Sequence, residues 1–258
     1  MRRHSAIVLI AAVLAITGCG VETVPTTRPP LEDPPNPGPA PVSHGLPKAD
    51  IDRVAASTVR VFGIACGRAT EGSGFAIADD VIVTNAHVLL GVDEPKIEVG
   101  SGARLDANVV AFDAHNDLAL LRVEGLQFEP LTLGDAADGT IGGVFGWGQG
   151  PQLDVTPFRV DRPVTVRIEA VGRDDRVERP SYLLAADIES GDSGAALIDG
   201  AGTVIGIAYM STTRNASVGY ALRTAPVEDL VNQGYDQEVL VPPCGVTTRN
   251  DGNAGDES

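Results

Sequence analysis

Lysine is almost missing from this chain. Lys48 and Lys96 are the only two, and with arginine they make 19 basic residues against 35 acidic ones, a formal net charge of −16. Binding a nucleic acid means neutralising phosphates with a basic surface, so nucleic acid is excluded as a partner. The acidic excess suits a secreted domain and carries no information about fold. Past Ile16 no stretch is long or apolar enough to cross a bilayer. Four histidines and three cysteines show no spacing typical of a metal site, so no metal and no other cofactor is expected.

The amino terminus carries an address. Met1-Arg2-Arg3-His4 is basic, and Ile7 to Ile16 is an apolar run too short to span a membrane comfortably. The run ends in Ile16-Thr17-Gly18-Cys19, which resembles the lipobox of bacterial lipoproteins. That resemblance implies a signal peptide over residues 1–18 and lipidation of Cys19; a plain secretory signal and an uncleaved anchor are the alternatives. The expected location is a bacterial cell membrane, with the acyl chains as membrane partner and the folded domain on the extracytoplasmic side. Residues 19–48 read as lipidated cysteine plus linker, because nine prolines fall between Val21 and Pro47. Proline at that density bars helix and central strand and favours extended polyproline II. Residues 246–258 are polar and acidic, and a disordered tail is expected there.

Residues 49–245 form one domain-sized remainder with an all-β pattern. Val59 to Ala65, Gly74 to Ile77, Val81 to Val83, Lys96 to Val99 and Ala107 to Val110 read as strands. Ile141 to Trp147, Val164 to Ala170, Tyr182 to Ile188, Ala195 to Ile198 and Thr203 to Tyr209 continue the series. Short strands separated by turn residues indicate a sandwich or a barrel. Ala225 to Asn232 is the one stretch that reads as helix.

Three motifs carry chemistry: Thr84-Asn85-Ala86-His87-Val88, Asn116-Asp117-Leu118-Ala119-Leu120 and Gly191-Asp192-Ser193-Gly194. Each alone has a plain structural reading as strand end, turn or loop. Together they supply a serine nucleophile, a base to activate it and a carboxylate to orient the base. His4 lies in the leader and His44 in the linker, so the base is His87 or His115. Asp113-Ala114-His115-Asn116 reads as a surface turn, which favours His87.

A histidine, an aspartate and a serine in this order resemble the set of the chymotrypsin- and trypsin-like serine proteases. The resemblance implies two six-stranded antiparallel β-barrels with a short C-terminal helix. His87 and Asp117 would sit on the first barrel and Ser193 on the second, with peptide or protein substrates in the cleft. It also implies an oxyanion hole from the backbone N–H groups of Gly191 and Ser193. Asp187, six residues before Ser193, takes the position that floors the primary specificity pocket. A basic preference is expected there, against the alternative of a carboxylate satisfied by its neighbours.

Cys66-Gly67-Arg68-Ala69-Thr70-Glu71-Gly72-Ser73-Gly74-Phe75, together with a cysteine past the last helix, resembles the mycobacterial acid-resistance periplasmic protease (MarP) group. In an oxidising compartment Cys66 and Cys244, left over after Cys19, read as a disulfide, with free thiols as the alternative. The departures are Ala195-Ala196, where relatives usually have Gly-Pro, and Asp192, which lacks a freed N-terminal ammonium and either finds an internal donor such as an arginine or disturbs the oxyanion hole. A catalytically degenerate fold that binds peptide or cell wall is therefore the alternative function. Oligomeric state is not readable.

Overall fold

The computed structural model describes residues 36–244, apart from 101, 149, 213 and 214; at 212, 215 and 216 only the backbone is described. The expected leader, Cys19 and the expected tail over 246–258 lie outside the described residues.

The order of elements is α1 (Lys48–Ala56), β1 (Thr58–Ala65), β2 (Arg68–Ala78), β3 (Val81–Thr84), α2 (Ala86–Leu89), β4 (Lys96–Glu98), β5 (Arg104–Asp106), β6 (Asn108–Asp113) and β7 (Leu118–Arg122). A second set follows: β8 (Ile141–Gly146), β9 (Asp154–Glu169), β10 (Arg176–Ala186), β11 (Ala196–Asp199), β12 (Val204–Thr212), β13 (Asn215–Leu222) and α3 (Ala225–Asn232). Each strand run expected from the sequence falls on one of these strands, and α3 matches the expected helix. The sequence did not signal α1, whose only fully buried residue is Val54. Nor did it signal the one-turn α2, the three-residue β5, or β13 with its small residues.

The second set closes into a six-stranded barrel, β10-β13-β12-β11-β8-β9. The first forms a seven-stranded sheet, β5-β4-β1-β2-β3-β7-β6. Its extra strand comes from one bent segment. β5 and β6 are separated by Ala107 alone, whose N–H goes to Pro95 O at 3.0 Å. The first half of the bend pairs with β4 and the second with β7. Counted as one bent strand, the sheet makes a six-membered circuit, which is the double-barrel architecture.

Strands β2, β3 and β7 are apolar on both faces, and the period of two explains it. Ala76, Ile82, Ala119 and Leu121 point into the first barrel with Val59, Val61 and Ile97. Their neighbours Phe75, Val83, Leu118 and Leu120 pack with Phe145, Ile198, Ile207 and Leu222 of the second sheet. The shared core between the two sheets is what sets one barrel against the other.

Two segments depart from expectation. Residues 36–47, expected as part of the linker, lie on the second barrel instead. Pro37 O accepts Arg159 Nη2 at 2.7 Å, and buried Leu46 joins the shared core. Proline restricts the unfolded chain, so docking such a segment costs less entropy than docking an ordinary one. After α3 the chain also returns to the first barrel. Val239 N–H donates to Val109 O at 2.8 Å, and Gly91 N–H donates to Pro242 O at 3.0 Å. Cys244 then bonds to Cys66, with their Cα atoms 5.8 Å apart. Cys66 and Gly67, at φ +52° and +72°, make a two-residue hairpin turn of the kind that suits strand twist. The bridge thus ties a C-terminal strap to the β1–β2 hairpin.

Candidate active site

His87 sits on α2, and Asp117 sits in the turn between β6 and β7. Their side chains meet: His87 Nδ1 lies 2.9 Å from Asp117 Oδ2 and 3.1 Å from Oδ1. The backbone N–H of His87 also donates to Oδ1 at 2.9 Å. Asp117 is buried, while the imidazole reaches solvent. The aspartate is held at φ +58°, a left-handed conformation that few non-glycine residues adopt. Local bonds hold it there, since Asn85 Nδ2 and Ala86 N–H both donate to Asp117 O, at 2.9 and 3.2 Å. His115 is exposed, as its turn sequence indicated.

Ser193 arrives on the loop between β10 and β11. Asp192 N–H donates to Glu189 O at 3.2 Å, closing a turn in which Gly191 has φ +100°. Only glycine adopts that angle without strain, and a Cβ there would lie 2.6 Å from Gly148 O. No acceptor takes the N–H of Gly191 or Ser193 among the described residues. Gly72 is flanked by Val88, next to His87, and by Ser193 O, which brings the serine loop beside α2. Ser193 Oγ makes no hydrogen bond to the imidazole among the described residues. In unliganded sites that contact is commonly long and tightens on substrate.

Asp192 finds backbone donors rather than an arginine. It is buried, and Glu189 N–H donates to Oδ2 at 2.9 Å. The Gly148 amide is a second donor, and burial outweighs both to push the carboxyl up to about 6. Asp187 is exposed and accepts Ser217 Oγ at 3.0 Å; no lysine or arginine pairs with it among the described residues. A cavity of about 690 Å³ lies on the outer face of β1, β2 and β4, and none of His87, Asp117 or Ser193 lines it.

Two residues to which the sequence assigned no role in the site pack against it. Ser73 on β2 is wholly buried, its N–H donates to Ser193 O at 2.7 Å, and its hydroxyl donates to Gly191 O at 2.8 Å. Its one visible sign is the run Gly72-Ser73-Gly74, small residues beside a crowded loop. Arg179 on β10 is buried with its guanidinium 3.6 Å from Asp117 Oδ2, and an isolated arginine in a strand carries no warning of this.

The family model for the trypsin-like peptidase domain matches residues 72–207, a span that contains His87, Asp117 and Ser193. The serine protease Rv3671c of Mycobacterium tuberculosis, the acid-resistance protease of the resemblance drawn above, is 30% identical over 239 residues. That alignment covers 91% of this chain and 59% of the relative, so the chain spans little more than half the relative's length. A DegP-like periplasmic serine endoprotease of Halomonas elongata is 36% identical over 154 residues, covering 57% of this chain and 31% of that protein. Among solved structures, the active form of the Rv3671c protease superposes with a TM-score of 0.73 at 29% identity, covering 83% of this chain and 98% of that one. With the double-barrel fold and a match over more than half its length, this chain belongs to the trypsin-like peptidase family.

Proposed function

We propose that this chain is an extracytoplasmic serine endopeptidase working through His87, Asp117 and Ser193. The observation that carries the reading is the His87–Asp117 pair, with the buried carboxylate on Nδ1 and the other ring nitrogen left for a nucleophile. Ser193 Oγ attacks the carbonyl carbon of the scissile peptide while His87 Nε2 takes its proton. The carbonyl electrons move onto oxygen, where the N–H groups of Gly191 and Ser193 hold the charge. His87 then gives the proton to the leaving amine and an acyl-enzyme remains. Water, deprotonated by the same imidazole, releases the acid and restores Ser193. Asp117 keeps the proton on Nδ1 in the resting tautomer and stabilises the imidazolium.

The lipobox at Cys19 supports anchoring to the outer face of a bacterial membrane, and likeness to Rv3671c supports an envelope or acid-stress role. Labelling the soluble domain with a fluorophosphonate, followed by peptide mapping, tests the chemistry. Ser193 should carry the label, and Ser193→Ala or His87→Ala should abolish both labelling and peptide cleavage. Full cleavage by Ser193→Ala would sink the reading. Peptide binding without labelling would favour the degenerate, binding-only fold.

A further inference from the structure

Arg179 is the largest fully buried side chain in the described structure, 2% exposed, and it lies beneath the candidate site. It belongs to β10 in the second barrel, yet it reaches the first-barrel turn that carries Asp117. Its Nε donates to His115 O at 2.7 Å, and its Nη2 donates to Ala114 O at 3.2 Å and Glu169 O at 3.4 Å. Nη1 stands 3.6 Å from Asp117 Oδ2, the oxygen that also takes His87 Nδ1. Burying a guanidinium is unfavourable unless charge and hydrogen bonds compensate it. Barrel packing does not require a cation here, for the β10 residues on the same face to either side are Val177 and Ser181.

We propose that Arg179 is a positioning residue that locks the Asp117 turn across the barrel interface and balances the charge of its carboxylate. The first part follows from its anchors. Ala114 and His115 belong to the turn that ends at Asp117, and the φ of +58° there depends on a fixed backbone. The second part follows from charge. Asp117 favours the imidazolium form of His87, and a cation beside Asp117 weakens that preference. Tyr209 and Asp113 are neighbouring ionisable groups on the elements around the pair. Tyr209 from β12 hydrogen-bonds to Ser181 at 3.2 Å, and burial pushes its phenol up to about 12, so it stays neutral. Asp113, in the same turn as Asp117, is engaged by the N–H groups of His115 and Asn116. Loss of the Arg179 charge should therefore show in the acid limb of the pH–rate profile.

This inference rests on the triad reading, so the experiment begins with the unaltered domain. Fluorophosphonate labelling rates at Ser193, and kcat and KM on a peptide, are compared for wild type, Arg179→Gln and Arg179→Lys between about pH 4.5 and 9. Arg179→Gln should lose roughly tenfold in kcat with little change in KM. Its acid limb should move up by about half to one pH unit. Arg179→Lys, which keeps the charge, should hold the limb in place while recovering only part of kcat. An unmoved acid limb in folded Arg179→Gln overturns the inference alone. A wild-type domain that does not react overturns the protease reading and this one with it. Should Arg179→Gln fail to fold, a double-variant cycle of Arg179→Lys with Asp117→Asn decides. Positioning through Asp117 requires that Arg179→Lys costs nothing further once Asp117→Asn is present, and multiplied losses overturn it.

Discussion

The Ser73 hydroxyl donates to the carbonyl oxygen of Gly191 at 2.8 Å, across the boundary between the two barrels. The same hydroxyl accepts Trp147 N–H at 2.9 Å, and Ser73 O accepts Thr84 Oγ1 at 2.7 Å. With its N–H on Ser193 O, one first-barrel residue grips both ends of the nucleophile turn. Substituting Ser73→Ala leaves Gly191 O and Trp147 N–H buried without that partner, at a cost of roughly 1–3 kcal/mol. The turn then loses its alignment with His87, so Ser193 labelling should slow by roughly tenfold to a hundredfold. A labelling rate equal to wild type would show that the turn orients itself without Ser73.

The Cys66–Cys244 bridge makes a stability prediction. It closes a loop of 178 residues, for which chain-entropy arguments give about 5 kcal/mol as an upper estimate. Alkylation without reductant should leave both thiols unmodified, and reduction should lower Tm by several degrees. Reduction should also loosen the strap whose Val239 and Val241 pack on the first-barrel core. Mass spectrometry that finds both thiols alkylated in the native domain would rule the bridge out.

Asp192 links stability to pH. Burial holds its carboxyl at about 6 in the fold, above the ordinary value of 3.8, so the folded state binds this proton more tightly than the unfolded chain. The stabilisation is complete below about pH 4 and is lost as pH rises through about 6. Asp192→Asn has no such proton to lose. In denaturant unfolding it should gain on wild type between about pH 4 and 7, by roughly 1–3 kcal/mol. A stability difference constant across that range would mean that Asp192 is not the linked group.

Asp187 makes a prediction about substrate choice. An exposed carboxylate six residues before Ser193, held by one serine hydroxyl, is open to a guanidinium or ammonium from substrate. Arginyl peptides should be cut faster than leucyl ones, and Asp187→Ser should flatten the difference while Ser193 labelling persists. An apolar cleavage profile unchanged by Asp187→Ser would end the assignment.

The motifs around His87, Asp117 and Ser193 were legible because each is local. A glycine at 191, an Asn-Asp turn at 116–117 and a Thr-Asn-Ala-His run each carry their constraint within a few residues. The strand series was legible too, since alternation is a property of neighbours in the chain. Such signals faded where the local pattern was short or small, as in β5, α1 and β13. Position across the fold was decided by tertiary structure alone. Ser73 reaches Gly191 over 118 residues of chain, and Arg179 reaches His115 O over 64. The docking of Leu46 likewise depends on a core that exists only once both sheets have formed. Residue type and order therefore determined which chemistry this chain carries. Burial and long-range packing decided which further residues aim it, because a side chain's partners across the fold are set by the closing of the barrels and leave no periodicity in the sequence.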